Sequence, residues 1–553
     1  MEKQTQLQSN NIISEKINFQ NIDLIKYSEA KDVIQSYLSD ESKIITGDAK
    51  DVEKVWFPTS TEEAASILKE ASKLKIQVTT SGAGTGLTGS RVAKQGWVLS
   101  TEKIRTVKQK ENEESITWKD EDSNIEYKVS ILKSHNPPLI RVPVSMRLRT
   151  VQHLVKSLGY FYPPDTTEWS SFIGGNVATN ASGARTFKYG STRSYVEEIR
   201  TILSSGMVLE LNRQQKSDES FTWKIKNCET NETIKIHVNK SFPNPKVSKN
   251  AVGFPIYENM ALIELFIGTE GIFGVTTEIV LRLLPFPKNI FSLISYFKTN
   301  EQAIEFVKVA QNQKTQSKEP IPMSVEYFDY YALELVKKDN SNIPPETHSA
   351  VYLEQDVEDK KKIDDYLEFW VEKLDQVGYI DSWAELDERG IERHKEFRHS
   401  LPVGVHDVIK KNKVNKVGTD FAVPSENFPD FLILLQTTAE LFKKYQIEQK
   451  KATIEDLSYV IYGHIGNDHL HLNFLPKDQE ALHKAEELYL DMAKQVVQMG
   501  GTISAEHGVG KKYYGGKPYI WYMIGDSGIN ELKSLKLVFD PANILNRGNV
   551  IGF

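Results

Sequence analysis

Three of the chain's 12 histidines fall within residues 463–473: His464, His469 and His471. Imidazole is a common ligand of transition metals in proteins. If residues 470–474 form a strand, its two-residue period puts His469 and His471 on one face, and a turn at 463–466 brings His464 back toward them. A histidine pair of this spacing, taken alone, is more often a surface or core pair than a ligand set.

A second glycine-rich segment, residues 500–510, adds the adjacent side chains Glu506 and His507. Two imidazoles and one carboxylate leave coordination positions open for a substrate. That pattern is typical of a catalytic metal site and not of a structural one. The two segments together therefore favour a catalytic metal site over an incidental histidine pair.

The most glycine-dense loop of the chain is 81–90, with glycine at positions 82, 84, 86 and 89. Glycines allow backbone amides to converge on a ligand, and such nests suit a pyrophosphate. The spacing from Gly84 to Gly89 matches the dinucleotide fingerprint, but a strand-like segment, 96–100, follows where that fingerprint requires a helix. A Rossmann site is therefore disfavoured, whereas a plain turn stays open for this loop alone. Two further glycine-rich stretches, 163–190 and 268–274, indicate a place where a flat ring system lies against the backbone.

The elements around these loops indicate several folding units, as the length of 553 residues also does. A strand-like segment at 55–58, a helix opened by a capping-box pattern at 60–63 and a strand at 76–80 lead into the first glycine loop. Residues 101–140 are polar and indicate an exposed hairpin. The Pro285-Phe286-Pro287 sequence marks a boundary. We therefore predict a helical extension (1–47), a first domain (48–285), a second α+β domain (286–525) and a C-terminal tail (526–553), of which residues 539–548 are rich in turn formers.

Composition excludes several classes of protein. The net charge is −7 and basic residues are scattered, so no nucleic-acid partner is expected. The single cysteine, Cys228, rules out disulfides, cysteine-ligated zinc and iron–sulfur clusters built from this chain alone. No signal peptide or membrane span is evident, so we expect a cytoplasmic protein. Peripheral contact with the membrane and a homodimer both stay open.

The three glycine-rich segments resemble the FAD-binding domain of the vanillyl-alcohol oxidase superfamily, in its D-lactate/glycolate/D-2-hydroxyglutarate dehydrogenase branch. The resemblance implies an α+β fold: a two-subdomain PCMH-type FAD-binding domain, then a substrate (cap) domain with an antiparallel sheet and a tail packed near the flavin. It implies non-covalent FAD, since no histidine lies in the first loop and Cys228 lies outside every motif. The implied FAD-binding residues are Ser81, Gly82, Ala83, Gly84, Thr85, Gly86, Thr88, Gly89, Ser90, Pro164, Asp165, Gly175, Asn176, Asn180, Ser182, Gly183, Glu270, Gly274, Val275 and Asn546. Of these, Glu270, Gly274 and Val275 are expected on the adenine side, and Ala83 stands where the family often has glycine.

The histidine-rich segments resemble the family's metal and active-site motifs, Gly-His-x-Gly-Asp-Gly-Asn-x-His and Glu-His-Gly. Carried over by position, His464, His471 and Glu506 are the implied metal ligands, His507 the base and Asn473 a substrate contact. Zinc is the expected metal, with manganese or iron as alternatives. The chain departs from the motif at Asn467, Asp468 and His469, which leaves His469 open as an additional or substitute ligand.

An arginine suits a substrate carboxylate because its planar fork engages both oxygens. Arg398 lies where related enzymes place that arginine, and a surface salt bridge is the competing interpretation. Lys416 lies near the family's substrate-domain lysine in a shifted register.

The implied activity is oxidation of a D-2-hydroxy acid to the 2-oxo acid, with FAD taking a hydride and a separate electron acceptor, such as a quinone or an electron-transfer flavoprotein, reoxidising it. Two alternatives stay open. One is a flavin-dependent group-transfer enzyme of the alkylglycerone-phosphate synthase type, and the other is a non-catalytic flavoprotein subunit.

Overall fold

The first glycine loop leaves the end of a mainly parallel sheet. The computed structural model describes residues 11–42, 50–337, 340, 342–454 and 456–553. The helix Thr61–Leu74 covers this sheet, and its N-terminus is capped by the Ser60 hydroxyl, which accepts the Glu63 N–H at 3.2 Å. The Glu63 carboxylate reaches back to the Thr59 N–H. In sheet order the strands are Tyr27–Ser28, Val52–Trp56, Gly96–Ser100 and Val78–Ser81.

A six-stranded antiparallel sheet forms the second part of the N-terminal half. The polar stretch 101–140 contributes the predicted hairpin, which joins this sheet instead of standing free. Two short sheets accompany it: Asn11–Ile13 with Thr222–Lys226 and Thr233–His237, and Tyr160–Phe161 with Leu284–Pro285. In sheet order the six strands are Val208–Asn212, Val196–Ile202, Val275–Arg282, Leu139–Pro143, Glu126–Leu132 and Glu114–Lys119.

Short helices complete this half of the chain. They carry the second glycine-rich stretch and cover the sheets. The α-helices are Leu148–Ser157, Ile173–Thr179 and Thr186–Tyr189, and the 3-10 helices are Thr192–Tyr195 and Leu262–Phe266.

The predicted helical extension at the N-terminus is wrong over its described part. Residues 11–42 contain two short strands, the 3-10 helix Ile22–Leu24 and only one α-helix, Lys31–Gln35. Ile12 pairs with Ile225 in a parallel ladder, and this pairing draws the segment into extended structure. Residues 1–10 and 43–47 of the predicted extension lie outside the described residues.

The C-terminal half is built on one antiparallel sheet, here called the cap sheet. This sheet and its helices confirm the expected α+β class. In sheet order its strands are Asp381–Glu385, Asn289–Phe297, Ser349–Val357, Ser324–Phe328, Tyr459–Gly463, His469–Phe474 and Val417–Gly418, with Phe421–Ala422 also paired to His469–Phe474. Its α-helices are Asn300–Thr315, Tyr330–Val336, Ile363–Val377, Glu388–Asn412, Phe428–Glu448 and Gln479–Gln498, and its 3-10 helices are Lys360–Lys362, Ser425–Asn427 and Ile465–Asn467.

The end of the chain returns to the first sheet. After the hairpin of Tyr513–Tyr514 with Lys517–Pro518 and the helix Trp521–Phe539, Leu545 forms a parallel bridge to Val78. The Asn546 side chain accepts the Thr80 N–H at 2.8 Å and donates to the Gly271 carbonyl at 2.8 Å. The last residues thus support the strand that enters the first glycine loop. Among the described residues, no helix combines the length and apolar character that crossing a bilayer requires.

A buried ion pair joins the N-terminal half to the cap sheet. Arg185 donates two hydrogen bonds of 2.9 Å to Glu354, and both side chains are at most 10% exposed. Beside it, Lys188 and Tyr189 bind the Asp356 carboxylate at 2.7 and 2.8 Å. Bidentate pairs of this kind fix orientation as well as distance. The second glycine-rich stretch is therefore held against the cap sheet.

We expect Glu354→Gln to lower the free energy of unfolding by about 3 kcal/mol, because it leaves Arg185 buried without its main partner. The change should be measured by urea unfolding. The matched control is Glu346→Gln, which breaks the exposed Lys298–Glu346 pair and should leave the unfolding free energy unchanged. Equal effects from the two variants would contradict a structural role for the buried pair.

Candidate active site

The strand His469–Phe474 presents His469, His471 and Asn473 on one face of the cap sheet, as the two-residue period predicts. The chain reverses just before it, at Asp468, which has a left-handed backbone (φ 55°). The Asp468 carboxylate is anchored by the Ser425 hydroxyl at 2.5 Å and by Gln311 Nε2 at 2.8 Å. These contacts fix the turn that returns His464 to the neighbourhood of His469 and His471.

Glu506 lies between two of these histidines. Its Oε1 is 3.2 Å from His471 Nε2, and its Oε2 is 3.3 Å from His464 Nε2. Donor atoms of His464, His469, His471 and Glu506 all lie within 4.8 Å of one another. The structure therefore brings together the three predicted ligands, and it adds His469 to the group.

The outer partners of the two imidazoles suit a metal site. His464 Nδ1 is 2.7 Å from Glu326 Oε1, and His471 Nδ1 is 2.8 Å from the Thr419 carbonyl oxygen. A proton held on Nδ1 by such an acceptor leaves the Nε2 lone pair directed at an ion, as in known metal centres. The donor set and its outer hydrogen bonds thus fit a divalent cation of borderline softness.

Asp420 organises the loop that carries Glu506 and His507. Its carboxylate accepts the His507 N–H at 2.8 Å, the Glu506 N–H at 3.2 Å and the Ser504 hydroxyl at 2.6 Å. Asp420 Oδ2 also faces His507 Nδ1 at 3.5 Å. Sequence reasoning missed this residue, although it is an acid in the segment beside Lys416, because nothing local links it to a loop so far along the chain.

Lys249 is a second residue that sequence reasoning missed. Its side chain is fully buried, and its ammonium donates to Glu506 Oε2 at 3.0 Å. The neighbouring Ser248 binds the Asn467 carbonyl, and Asn250 accepts the Thr502 hydroxyl. The segment 248–250 is therefore wedged between the histidine-rich turn and the loop of Glu506, and it places a positive charge at the site.

Arg398 approaches the site from the helix Glu388–Asn412. Its Nε donates to Glu326 Oε2 at 3.0 Å, so Glu326 bridges Arg398 and His464. No hydrogen bond within the described residues is made by the two terminal nitrogens of Arg398. Lys416 donates to Asn473 Oδ1, on the strand of the histidines, at 2.6 Å. The site thus contains two cationic groups besides Lys249.

Burial and neighbouring charges set the protonation states. Burial lowers the pKa of the His507 imidazole, which favours a neutral ring able to accept a proton. Burial, together with the nearby His471, lowers the pKa of His469 to about 3. For Glu326, the attraction of His464 and Arg398 outweighs burial and lowers the carboxyl pKa to about 2. Glu326 is therefore an anion that orients both Arg398 and His464.

A cleft of about 1500 Å³, counting its open mouth, runs from the glycine loops to Glu506 and His507. Asp40 and Arg91 also line it, and neither was predicted. The Ser182 hydroxyl is buried at its wall without a partner among the described residues, so the wall offers a polar group to a ligand. The predicted cofactor residues on the lining are Gly82, Ala83, Gly84, Thr85, Gly86, Thr88, Ser90, Gly175, Asn176, Ser182, Glu270, Gly274, Val275 and Asn546.

The other predicted cofactor residues lie behind this wall. Asn180 ends a helix with φ 50° and binds the Asn250 carbonyl and the Arg193 N–H. A Cβ on Gly183 would stand 1.8 Å from the Asp165 carbonyl oxygen, so this contact needs glycine. Residues of this second group shape the cleft from outside its lining: Ser81, Gly89, Pro164, Asp165, Asn180 and Gly183.

Glu270 connects the first glycine loop with the loop of His507. Its Oε1 accepts the Val509 N–H at 2.8 Å and the Gly510 N–H at 3.0 Å, and its Oε2 is bound by the Ser90 hydroxyl. Glu270 therefore joins the two loops, in addition to its predicted place on the adenine side. The cleft of the glycine loops and the Glu506–His507 pair are one continuous site.

Comparisons with known proteins agree with this arrangement. Residues 52–119 and 134–212 match the FAD binding domain model, and residues 287–550 match the model of the FAD linked oxidases, C-terminal domain. The chain therefore belongs to the FAD-linked oxidases, a family of flavin-dependent oxidoreductases.

Three curated relatives are each 25% identical and each align with 89% of this chain. They are a glycolate oxidase subunit of Bacillus subtilis (strain 168), a D-lactate dehydrogenase of Anaerostipes hadrus and a D-2-hydroxyglutarate dehydrogenase of Stutzerimonas stutzeri (strain A1501), with 87%, 88% and 90% of their own lengths covered. Among solved structures, an alkyldihydroxyacetonephosphate synthase shares the fold with a TM-score of 0.61 at 15% identity, over 94% of this chain and 81% of the other.

We expect Gly175→Leu to prevent FAD binding without unfolding the protein. Gly175 lines the cleft, and a Cβ built on it meets no atom within 4 Å, so a larger side chain fills cofactor space and not protein. Flavin content per purified chain should fall at least about tenfold. The FAD-free forms of variant and parent should unfold at similar urea concentrations, since leucine is a better helix former than glycine. A Gly175→Leu protein with a full complement of FAD would contradict this use of the cleft.

Proposed function

We propose that the protein is an FAD-dependent dehydrogenase that oxidises a D-2-hydroxy acid to the 2-oxo acid. The observation that carries the proposal is the meeting of Glu506 and His507 with the glycine loops in one cleft, beside two imidazoles whose Nδ1 atoms each face an oxygen acceptor. The names of the three curated relatives, all acting on hydroxy acids, support the same substrate class.

Arg398 is the proposed anchor for the substrate carboxylate. Its Nε is occupied by Glu326, which fixes the plane of the guanidinium, while its terminal nitrogens stay available for a two-point contact. Lys416 and Asn473 provide a second polar pair across the site. A small hydroxy acid is therefore held at its charged end with its reactive carbon toward the cleft.

His507 is the proposed base. Asp420 faces Nδ1 and favours the tautomer with its proton there, which leaves Nε2 to accept the proton of the substrate hydroxyl. Nε2 lies 3.6 Å from Glu506 Oε1, so the accepting nitrogen is beside the candidate metal ligands. The neutral state favoured by burial matches this role.

Two parts of the reaction, hydride acceptance and Lewis acidity, require cofactors because no side chain of the site supplies them. FAD, held by the cleft residues, supplies a hydride acceptor. A divalent cation held by His464, His471 and Glu506, with zinc as the first candidate, supplies Lewis acidity toward the substrate oxygens. A separate electron acceptor, such as a quinone or an electron-transfer flavoprotein, completes the turnover.

Replacing His507 with Asn is expected to leave FAD bound and to slow flavin reduction by the hydroxy acid about 10²–10⁴-fold, the range for loss of a general base. The measurement is anaerobic stopped-flow bleaching of the oxidised flavin with D-lactate, glycolate and D-2-hydroxyglutarate. His483→Asn, at a surface histidine 81% exposed, is the control. If the flavin of His507→Asn is bleached as rapidly as that of the parent, His507 is not the base. A parent enzyme that no hydroxy acid bleaches would instead favour the group-transfer alternative.

We expect Arg398→Gln to raise KM for the hydroxy acid about 100-fold, since a charge-assisted contact contributes up to about 3 kcal/mol. Arg398→Lys should restore part of the loss, because it keeps the charge but not the fork. Arg393→Gln, on the exposed face of the same helix, serves as the control. Steady-state turnover with an artificial dye gives the constants. If KM is unchanged in Arg398→Gln, Arg398 does not bind the substrate carboxylate, and its ion pair with Glu326 is purely structural.

A further inference from the structure

His469 is the one imidazole of the cluster that the proposed function leaves without a task. It replaces the asparagine of the family motif, and it is fully buried. Neither ring nitrogen of His469 has a hydrogen-bond partner among the described residues, although Nε2 lies 3.2 Å from Asp420 Oδ1. Burial of a polar ring with so little hydrogen bonding is unfavourable. Asp420 is therefore only a weak partner of Nε2, and Nδ1 has none among the described residues.

The position of this ring is that of a ligand. Its centroid lies 4.4 Å from that of His471 and 5.3 Å from that of His464, and its donor atom shares the 4.8 Å sphere with those of His464, His471 and Glu506. His469 and His471 project from the same face of one strand, so the backbone holds both side chains toward the same point. The competing interpretation is a core histidine paired weakly with Asp420.

We propose that His469 is a fourth protein ligand, which gives this chain a three-histidine, one-glutamate metal site. The inference rests on the proposed function in that it concerns the same metal, but it goes beyond the two-histidine, one-glutamate set carried over from the family. Four protein ligands complete a tetrahedral shell. A hydroxy acid that binds through two oxygens therefore requires an ion that accepts six ligands, such as Mn²⁺ or Fe²⁺, or a zinc ion that expands its shell.

The test counts imidazoles around zinc. FAD-loaded protein is stripped with a chelator, reloaded with one equivalent of Zn²⁺ and measured by X-ray absorption at the zinc edge, where the flavin does not interfere. We expect three imidazoles in the parent, two in His469→Asn and two in His471→Asn. If His469 is not a ligand, the counts are two, two and one. A parent that binds no zinc at this site also overturns the inference.

Zinc affinity provides the second measurement, by competition with a coloured chelator. His469→Asn restores the family residue and is expected to weaken zinc binding more than about 100-fold. Loss of a residue that only hydrogen-bonds to a metal ligand weakens binding by about 10–100-fold, so a larger loss indicates a direct ligand. His469→Gln checks that the loss does not depend on one substitution, and His483→Asn should bind as the parent does. Urea unfolding of the chelator-stripped proteins should give equal midpoints for parent and variants. Unchanged affinity in both His469 variants overturns the inference.

Flavin reduction separates this inference from the proposed function. If the parent is bleached by a hydroxy acid but zinc has two imidazoles, only the role of His469 fails. If zinc has three imidazoles but no hydroxy acid bleaches the flavin, the ligand assignment stands and the proposed dehydrogenase activity fails.

Discussion

A single carboxylate, that of Asp420, determines where the reactive groups lie. It is buried and accepts backbone N–H groups from both Glu506 and His507, while its own strand neighbours pair with the strand of His469. The N–H groups and the facing imidazoles compensate an ionised group that burial alone would disfavour. The His507 and His469 rings that face Asp420 accordingly hold its carboxyl pKa below its usual range despite burial. The loop and the cap sheet are thereby locked into one relative position.

Other buried contacts between oppositely charged or polar groups fix further parts of the molecule. Arg185 binds Glu354 at the domain interface, and Arg398 binds Glu326, which binds His464. In each of these pairs a buried charged group has an oppositely charged or polar neighbour, so removal of one member leaves an uncompensated group. The contact between the two halves therefore combines apolar packing with polar pairs. The polar pairs are directional, so they specify one docking geometry.

The sequence predicted the features that depend on short spacing. The shared face of His469 and His471 follows from the strand period, and the glycine loops follow from local composition. Asp420, Glu326 and Lys249 were not foreseen, because their importance arises from contacts with residues more than 50 positions away. The N-terminal prediction failed for the same reason: the pairing of Ile12 with Ile225 overrides local helical preference. Arg398 was placed by resemblance, and its link to Glu326 needed coordinates.

The return of residues 544–546 to the strand Val78–Ser81 makes the first glycine loop depend on a contact between residues 466 positions apart. The first domain therefore cannot be separated from the segment that follows the cap sheet without losing the side chain that braces this loop. The two parts are one unit for nucleotide binding, even though the sequence between them folds around a different sheet.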